Sequence, residues 1–335
     1  MGEIIRIGVD TSKHVFQLHG VDAEEKVVLS RKLPRGQVVR FLGKLPACLI
    51  GLEACGAAHH WGRQFSALGH EVRLIPPQYV KPYVKRSKND AADAAAICEA
   101  VGRPTMRFVA IKSEEEQARL LVLRSRDLLL KQRTMLINSI RGQAAEFGVI
   151  GAKGPSHLDV ILARARETIP SDAAVMLSEL AGLIGQIDER LRRIEVKLLA
   201  WHRENPLSQR LATIPGVGPI TALTLVLTVP DPTVFASGRH FAAWIGLTPR
   251  ETSTAGRQRL GRISRQGNET LRRLLVLGTT AVIRTAKPGD ADEWLLGLLA
   301  RKPRKLVAIA LANKRARTAW AMMVSGQTYR RPQAA

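Results

Sequence analysis

Apolar and polar positions change rhythm twice along the 335-residue chain. Over residues 1–110, short apolar runs alternate with amphipathic stretches. The run 4–9 ends at Asp10. Strand-like stretches at 15–18 and 26–33 flank residues 20–25, which read as a hairpin turn. Residues 37–44 read as a helix, and 47–52 as a buried-type strand ending at Glu53. A helix at 59–68 stops at Gly69, and another strand covers 71–75. Pro76 and Pro77 break the chain, a basic stretch covers 81–88, and a helix starts near Asn89. Strands alternating with helices predict a mostly parallel or mixed sheet covered by helices.

Residues 114–147 change to helical spacing, with Leu120, Leu123, Leu130, Ile137 and Ile140 set between charges. Residues 172–204 repeat the pattern through Leu177, Ile184, Ile187, Leu191 and Leu198. The connection holds Gly148, Gly151, Gly154 and Pro155, with a short helical stretch near 156–167. This predicts an antiparallel coiled-coil arm, with an ordinary helical bundle as the alternative. A helix of ~30 residues spans about 45 Å. The rest is mostly helical with Gly- and Pro-marked turns, ending in a polar, frayed tail. The expected division is 1–112 (α/β), 113–204 (arm), 205–325 (mostly helical) and 326–335 (tail). No apolar run of ~18 residues predicts a membrane-spanning helix. The N-terminal stretch, with an acid at position 3, does not read as a secretion signal.

Charge adds the next constraint. The chain carries 51 basic and 29 acidic residues, a formal +22, and residues 205–330 alone contribute +13. Such a balance predicts a polyanionic partner. Nucleic acid fits better than a membrane surface, because an interfacial helix wants aromatic anchors and aromatics are only 4%. The same scarcity argues against single-strand stacking platforms, so phosphate contacts should dominate. Hydrophobic residues at 45% exclude wholesale disorder. Three cysteines, none in a CxxC pair, suit a reducing, cytoplasmic setting.

Four carboxylates carry the candidate chemistry. Asp10 and Glu53 close two strands, and sites in open α/β sheets lie beyond strand termini. Asp90 and Asp93 share a helix face at i, i+3. The small residues Ala91, Ala92 and Ala94–96 let that helix pack close to a sheet. Four acids converging in a basic chain need a counter-charge, and one or two Mg²⁺ ions would supply it, with Mn²⁺ as a substitute. Taken singly, Asp10 reads equally as a turn residue and Asn89 or Asp90 as a helix cap. The order strand-Asp, hairpin, strand-Glu, helix-DxxD is more specific and resembles a ribonuclease-H-like nuclease core.

Two basic motifs follow. Pro215-Gly216-Val217-Gly218 reads as the turn of a helix-hairpin-helix, whose backbone N–H groups approach phosphate, or as a plain helix connector. From 249 to 273 there are seven arginines and two acids in a glycine-rich stretch, expected to be a loop. Arg250, Arg257, Arg259, Arg262, Arg265, Arg272 and Arg273 are candidate phosphate contacts, with Gly216, Gly218, Lys13 and Lys88. Ser253 precedes the cluster. A hydroxyl among guanidiniums suits nucleophilic attack on phosphorus, or belongs to a solvated turn.

Together these pieces resemble the "one-ten" class of bacterial insertion-sequence transposases, in its "eleven-eleven" branch, also called DEDD transposases. The matching residues are Gly8-Val-Asp10-Thr-Ser-Lys13, Leu52-Glu53-Ala-Cys-Gly-Ala-Ala-His-His-Trp61, Lys88-Asn-Asp90-Ala-Ala-Asp93, Pro215-Gly-Val-Gly218, Phe241-Ala-Ala-Trp-Ile-Gly-Leu-Thr-Pro-Arg250, Ser253-Thr-Ala-Gly-Arg257 and Arg262-Ile-Ser-Arg-Gln-Gly-Asn268. The resemblance covers nearly the whole chain. It implies a RuvC-like domain whose Asp10, Glu53, Asp90 and Asp93 bind Mg²⁺, a coiled-coil arm, and a C-terminal transposase domain with a nucleophilic serine. It also implies a structured guide RNA pairing with donor and target DNA, a homo-oligomer (dimer or tetramer) that combines acids of one subunit with the serine of another, and a nucleoid-associated setting in a bacterial cytoplasm. Ser253 is the expected nucleophile and Thr254 the alternative; Ala255 stands where a glycine is common. A metal-dependent junction endonuclease without serine chemistry, or a non-catalytic scaffold, are the competing readings.

Overall fold

The computed structural model describes residues 3–84, 89–287 and 292–330. The chain separates into two compact units, Met1–Ala118 and Arg119–Ala335.

In the first unit, β1 (Arg6–Thr11), β2 (Val15–Val21), β3 (Val27–Pro34), β4 (Leu49–Glu53) and β5 (Glu71–Ile75) form one sheet in the order β3-β2-β1-β4-β5. β1–β2 and β2–β3 pair antiparallel; β1–β4 and β4–β5 pair parallel. The mixed sheet expected from the hydrophobic rhythm is therefore present. The hairpin closes later than the pattern suggests, because Asp22 Oδ1 accepts the N–H groups of Glu24 (3.1 Å) and Lys26 (2.9 Å) and fixes the turn there.

Helices α1 (Val38–Leu42), α2 (Ala58–Ser66), α3 (Pro77–Val80) and α4 (Asp90–Val101) complete this unit, together with the start of α5 (Glu114–Glu146). Side chains alternate across a strand with period 2. Ile7, Val9, Ile50 and Leu52 are buried on one face with Val38, Leu42, Trp61 and Phe65. The opposite face presents Gly8 and Gly51, and α4 lies directly on it.

The second unit is helical apart from a short ribbon. α5 is followed by α6 (Leu158–Thr168), α7 (Ser171–Glu204), α8 (Pro206–Leu211), α9 (Pro219–Thr228) and α10 (Gly238–Ile245). The ribbon β6 (Pro249–Glu251) and β7 (Leu260–Ile263) precedes α11 (Glu269–Thr285), α12 (Glu293–Arg301) and α13 (Arg304–Ser325). α5 and α7 run antiparallel: Arg126 pairs with Glu195 at 2.6 Å and Arg133 with Asp188 at 2.5 Å, seven residues forward on one helix matching seven back on the other. α6 packs over their connected end through Ile161, Leu162 and Ala165. A separate core around Phe241, Leu271, Leu275, Ala312 and Ala316 holds the C-terminal helices. Among the described residues no helix is long and apolar enough to cross a membrane.

One expectation needs correction. The arginine-rich stretch is not simply a loop, because β6 and β7 pair antiparallel and Thr254 bridges Arg257. Ala255 and Gly256 carry φ of 50° and 76° at the tip. Positive φ at both central residues is the mirror-image turn whose twist suits a hairpin. Both strands are solvent-exposed, so no apolar alternation announces them.

Candidate active site

β1 and β4 pair through Gly8↔Gly51 and Val9↔Leu52. Extending that register by one residue places Asp10 beside Glu53 at the strand ends. Each acid lies two residues beyond a glycine, so each emerges on the face covered by α4. Asn89 caps α4, its side chain accepting the N–H of Ala92 at 2.8 Å. The capping alternative thus belongs to Asn89, and Asp90 and Asp93 occupy the first turn. Acids are favoured there by the helix dipole.

Asp10 senses the other three carboxylates. Asp10 is pushed up to about 6, first by burial and then by the negative charges of Asp93, Asp90 and Glu53. Lys32, on β3, pairs with Asp90 at 3.3 Å. Thr11 Oγ1 lies 3.6 Å from Cys55 Sγ at the rim. Among the described residues no three acid, histidine or cysteine side chains are already gathered as a ligand set for one ion. The donor chemistry nevertheless fits a hard divalent cation: all-oxygen, anionic, and mutually repulsive without a counter-charge.

The ribbon holds the second cluster. Ser253 Oγ donates to Glu251 Oε1 at 2.6 Å and accepts the N–H of Arg259 at 3.1 Å. The hydroxyl is therefore fixed, with a carboxylate on its proton. Arg257, Arg259, Arg262 and Arg265 are exposed along the ribbon and just beyond it, and Arg250 donates to the Ser264 carbonyl at 3.2 Å. Arg272 is turned inward, donating to the carbonyls of Ile245 (2.7 Å) and Gln266 (3.0 Å). Arg273 pairs with Asp127 of α5, which also accepts the Thr270 hydroxyl. These two arginines brace the root of the ribbon and tie α11 to α5.

Gly216 takes φ of 87° in the turn between α8 and α9, and a Cβ built on it would meet the Gly278 carbonyl oxygen of α11 at 3.1 Å. Its smallness is thus already used inside the fold. Gly218 is exposed at the α9 N-terminus, and Lys13 is exposed between β1 and β2. Lys88 lies outside the described residues. Sequence reasoning missed Glu251, Lys32 and Asp127. The spacing Glu251-x-Ser253 was a usable signal had the stretch been read as a strand; the pairings of Lys32 and Asp127 are tertiary, 58 and 146 residues from Asp90 and Arg273.

Known proteins share both clusters' surroundings. A family model described as "Transposase IS116/IS110/IS902 family" matches residues 208–294, and a DEDD transposase model matches residues 7–147. The chain is 52% identical over 337 residues to a putative transposase of Sinorhizobium fredii, spanning 98% of this chain and 86% of the relative. It is 40% identical over 336 residues to the transposase for insertion sequence element IS1111A of Coxiella burnetii, spanning 98% and 92%. It is 36% identical over 332 residues to the transposase for insertion sequence element IS1328 of Yersinia enterocolitica, spanning 98% and 99%.

Proposed function

Since the chain belongs to the IS116/IS110/IS902 family of transposases, enzymes that cleave and rejoin DNA, we propose that it exchanges DNA strands between element ends and target through a covalent serine intermediate. The observation that carries this reading is Ser253, held between the Glu251 carboxylate and the Arg259 N–H in a ribbon of exposed arginines. The Thr254 hydroxyl has no such carboxylate partner among the described residues, which favours Ser253.

In this reading Ser253 Oγ attacks a backbone phosphorus. The Oγ–P bond forms, the bond from phosphorus to one sugar oxygen breaks, and that oxygen takes up a proton. Glu251 accepts the hydroxyl proton, and Arg257 and Arg259 balance the charge developing on the phosphoryl oxygens. A sugar hydroxyl from another strand reverses the exchange, rejoining DNA without net hydrolysis. Asp10, Glu53, Asp90 and Asp93 would hold one or two Mg²⁺ ions. Such ions, when bound, polarise a phosphodiester and stabilise its leaving oxygen.

The remaining parts follow from the same resemblance. The first unit is RuvC-like, α5 and α7 form a coiled-coil arm suited to contact between subunits, and α8–turn–α9 is a helix-hairpin-helix. Arginines that hold backbones leave sequence choice to a structured guide RNA paired with donor and target. Assembly as a homo-oligomer would supply several active sites to a two-ended exchange.

The test is a covalent-adduct assay with the element's flanking non-coding RNA and both DNA sites. Denatured wild-type protein should carry DNA. Loss in both Ser253→Ala and Asp10→Ala, with retention in Thr254→Ala, is the expected result. Cleavage without any adduct, unaffected by either hydroxyl change but lost in Asp10→Ala, would replace this reading with that of a metal-dependent junction endonuclease.

A further inference from the structure

A cleft of about 890 Å³ opens at the root of the ribbon, bordered by β6, β7, α12 and α13. It lies within the second unit and has no role in the chemistry assigned to Ser253. Its size falls in the range of small-molecule sites, ~300–1,000 Å³. Leu247, Ile263, Ile309 and Ala310 give it apolar walls.

Trp294, also on the wall, is 41% exposed. Lys314 Nζ lies 4.3 Å from the centre of its ring and is held there by Asp292 at 2.7 Å. The indole is thus oriented yet still open to solvent, in a chain with only five tryptophans. Arg262, Arg265 and Arg317 line the cleft as well, and their guanidiniums make no hydrogen bond or ion pair with another described residue. Arg265 is held at φ 55°, a backbone conformation that a side chain other than glycine adopts at a cost. Asn313 fixes its amide by donating to the Leu247 carbonyl at 3.3 Å.

An oriented aromatic face, apolar walls and three guanidiniums with no acidic partner among the described residues match one kind of ligand. The base of a nucleotide is flat and apolar on its faces and polar at its edge, and its phosphate is an anion. We propose that the cleft holds a single unpaired nucleotide of the bound nucleic acid, its base stacked on Trp294 and its backbone phosphates on Arg262, Arg265 and Arg317. Pro249 and Ile263, paired across the ribbon, both line the cleft. Ser253 follows Pro249 by four residues, roughly 13 Å along an extended chain. A nucleotide seated here would therefore set which phosphate along its strand reaches the serine. This deepens the function proposed above and rests on the second unit engaging nucleic acid.

The test uses full-length protein and two probes of arbitrary sequence: a DNA duplex and an RNA duplex, each with one bulged 2-aminopurine nucleotide. Each has a fully paired control. Wild type should bind at least one bulged probe about tenfold more tightly than its paired control, with the fluorescence quenched by stacking. The arm that shows the preference identifies the strand. Trp294→Ala and the cleft-filling Ala310→Trp should erase both preference and quenching, and Trp294→Phe should keep them. A wild type that binds bulged and paired probes alike, or a preference that survives both Trp294→Ala and Ala310→Trp, overturns the nucleotide seat while leaving the function above intact. Binding of no probe at all would overturn both.

Discussion

The backbone carbonyl of Ala94 occupies the space that a side chain at Gly8 would need: a Cβ built on Gly8 would lie 2.2 Å from that oxygen. The same Cβ would meet the backbone nitrogen of Cys98 at 2.3 Å. Helix α4 therefore rests on bare strand backbone, and this contact sets how far Asp90 and Asp93 stand from Asp10. Gly8→Ala must push the helix away. Overpacking of this kind costs about 1–3 kcal/mol or more. We expect a lower melting temperature and lost strand exchange, with Gly8→Val worse than Gly8→Ala. Thermal denaturation and a recombination assay check it; an active Gly8→Val of unchanged melting temperature would refute the packing argument.

Asp10 separates stability from activity. Its carboxyl is raised to about 6 from an ordinary 3.8, so ionisation is harder in the folded protein than in the unfolded chain. Well below the interval from 3.8 to about 6 both states are protonated and nothing is lost. As the pH rises through that interval the unfolded chain ionises first, and stability falls. Above about 6 the loss is complete. In a chelator, Asp10→Asn should therefore melt no lower than wild type at pH 7, and any advantage should shrink as the pH falls toward 3.8 and vanish below it. Strand exchange should be abolished. A clearly lower melting temperature at pH 7 would mean that the carboxylate stabilises the fold instead.

The first cluster was legible because each acid sits at a period change the residues display. Asp10 and Glu53 end apolar runs that became β1 and β4, and DxxD opens an alanine-rich stretch that became α4. The convergence is physical: parallel register brings two strand ends together, and glycines admit the helix. The ribbon was not legible as strands because its residues face solvent on both sides and its fold depends on a turn of Ala255 and Gly256. Nor was the inward use of Arg272 and Arg273, since sequence reports a guanidinium's charge but not the carbonyls or the Asp127 that receive it.

Glu251 should matter in proportion to its hold on the serine proton. Glu251→Gln preserves size and hydrogen bonding but removes the base. General-base help contributes typically 10²–10⁴-fold. Adduct formation by Glu251→Gln should fall by about two orders of magnitude or more, while DNA affinity is kept or slightly raised by the lost negative charge. Single-turnover adduct kinetics beside a binding titration separate the two effects. An unchanged adduct rate would leave Glu251 as an orienting partner only.

The exposed arginines of the ribbon test the electrostatic part. Arg257, Arg259 and Arg262 sit on or beside the hairpin strands, all facing solvent. Each phosphate neutralised releases condensed counterions and adds about 0.9 to the slope of log affinity against log salt on duplex DNA. Replacing all three with alanine should therefore weaken binding at low salt and flatten that slope by up to about 3. Because these contacts fall on phosphate, the loss should be similar for cognate and unrelated duplexes. Trp294→Ala, by contrast, removes no charge and should leave the slope near its wild-type value. Affinity measured at several salt concentrations for the three proteins decides between them. An unchanged slope in the triple variant would place these arginines away from the backbone and return the affinity to other basic residues of the C-terminal unit.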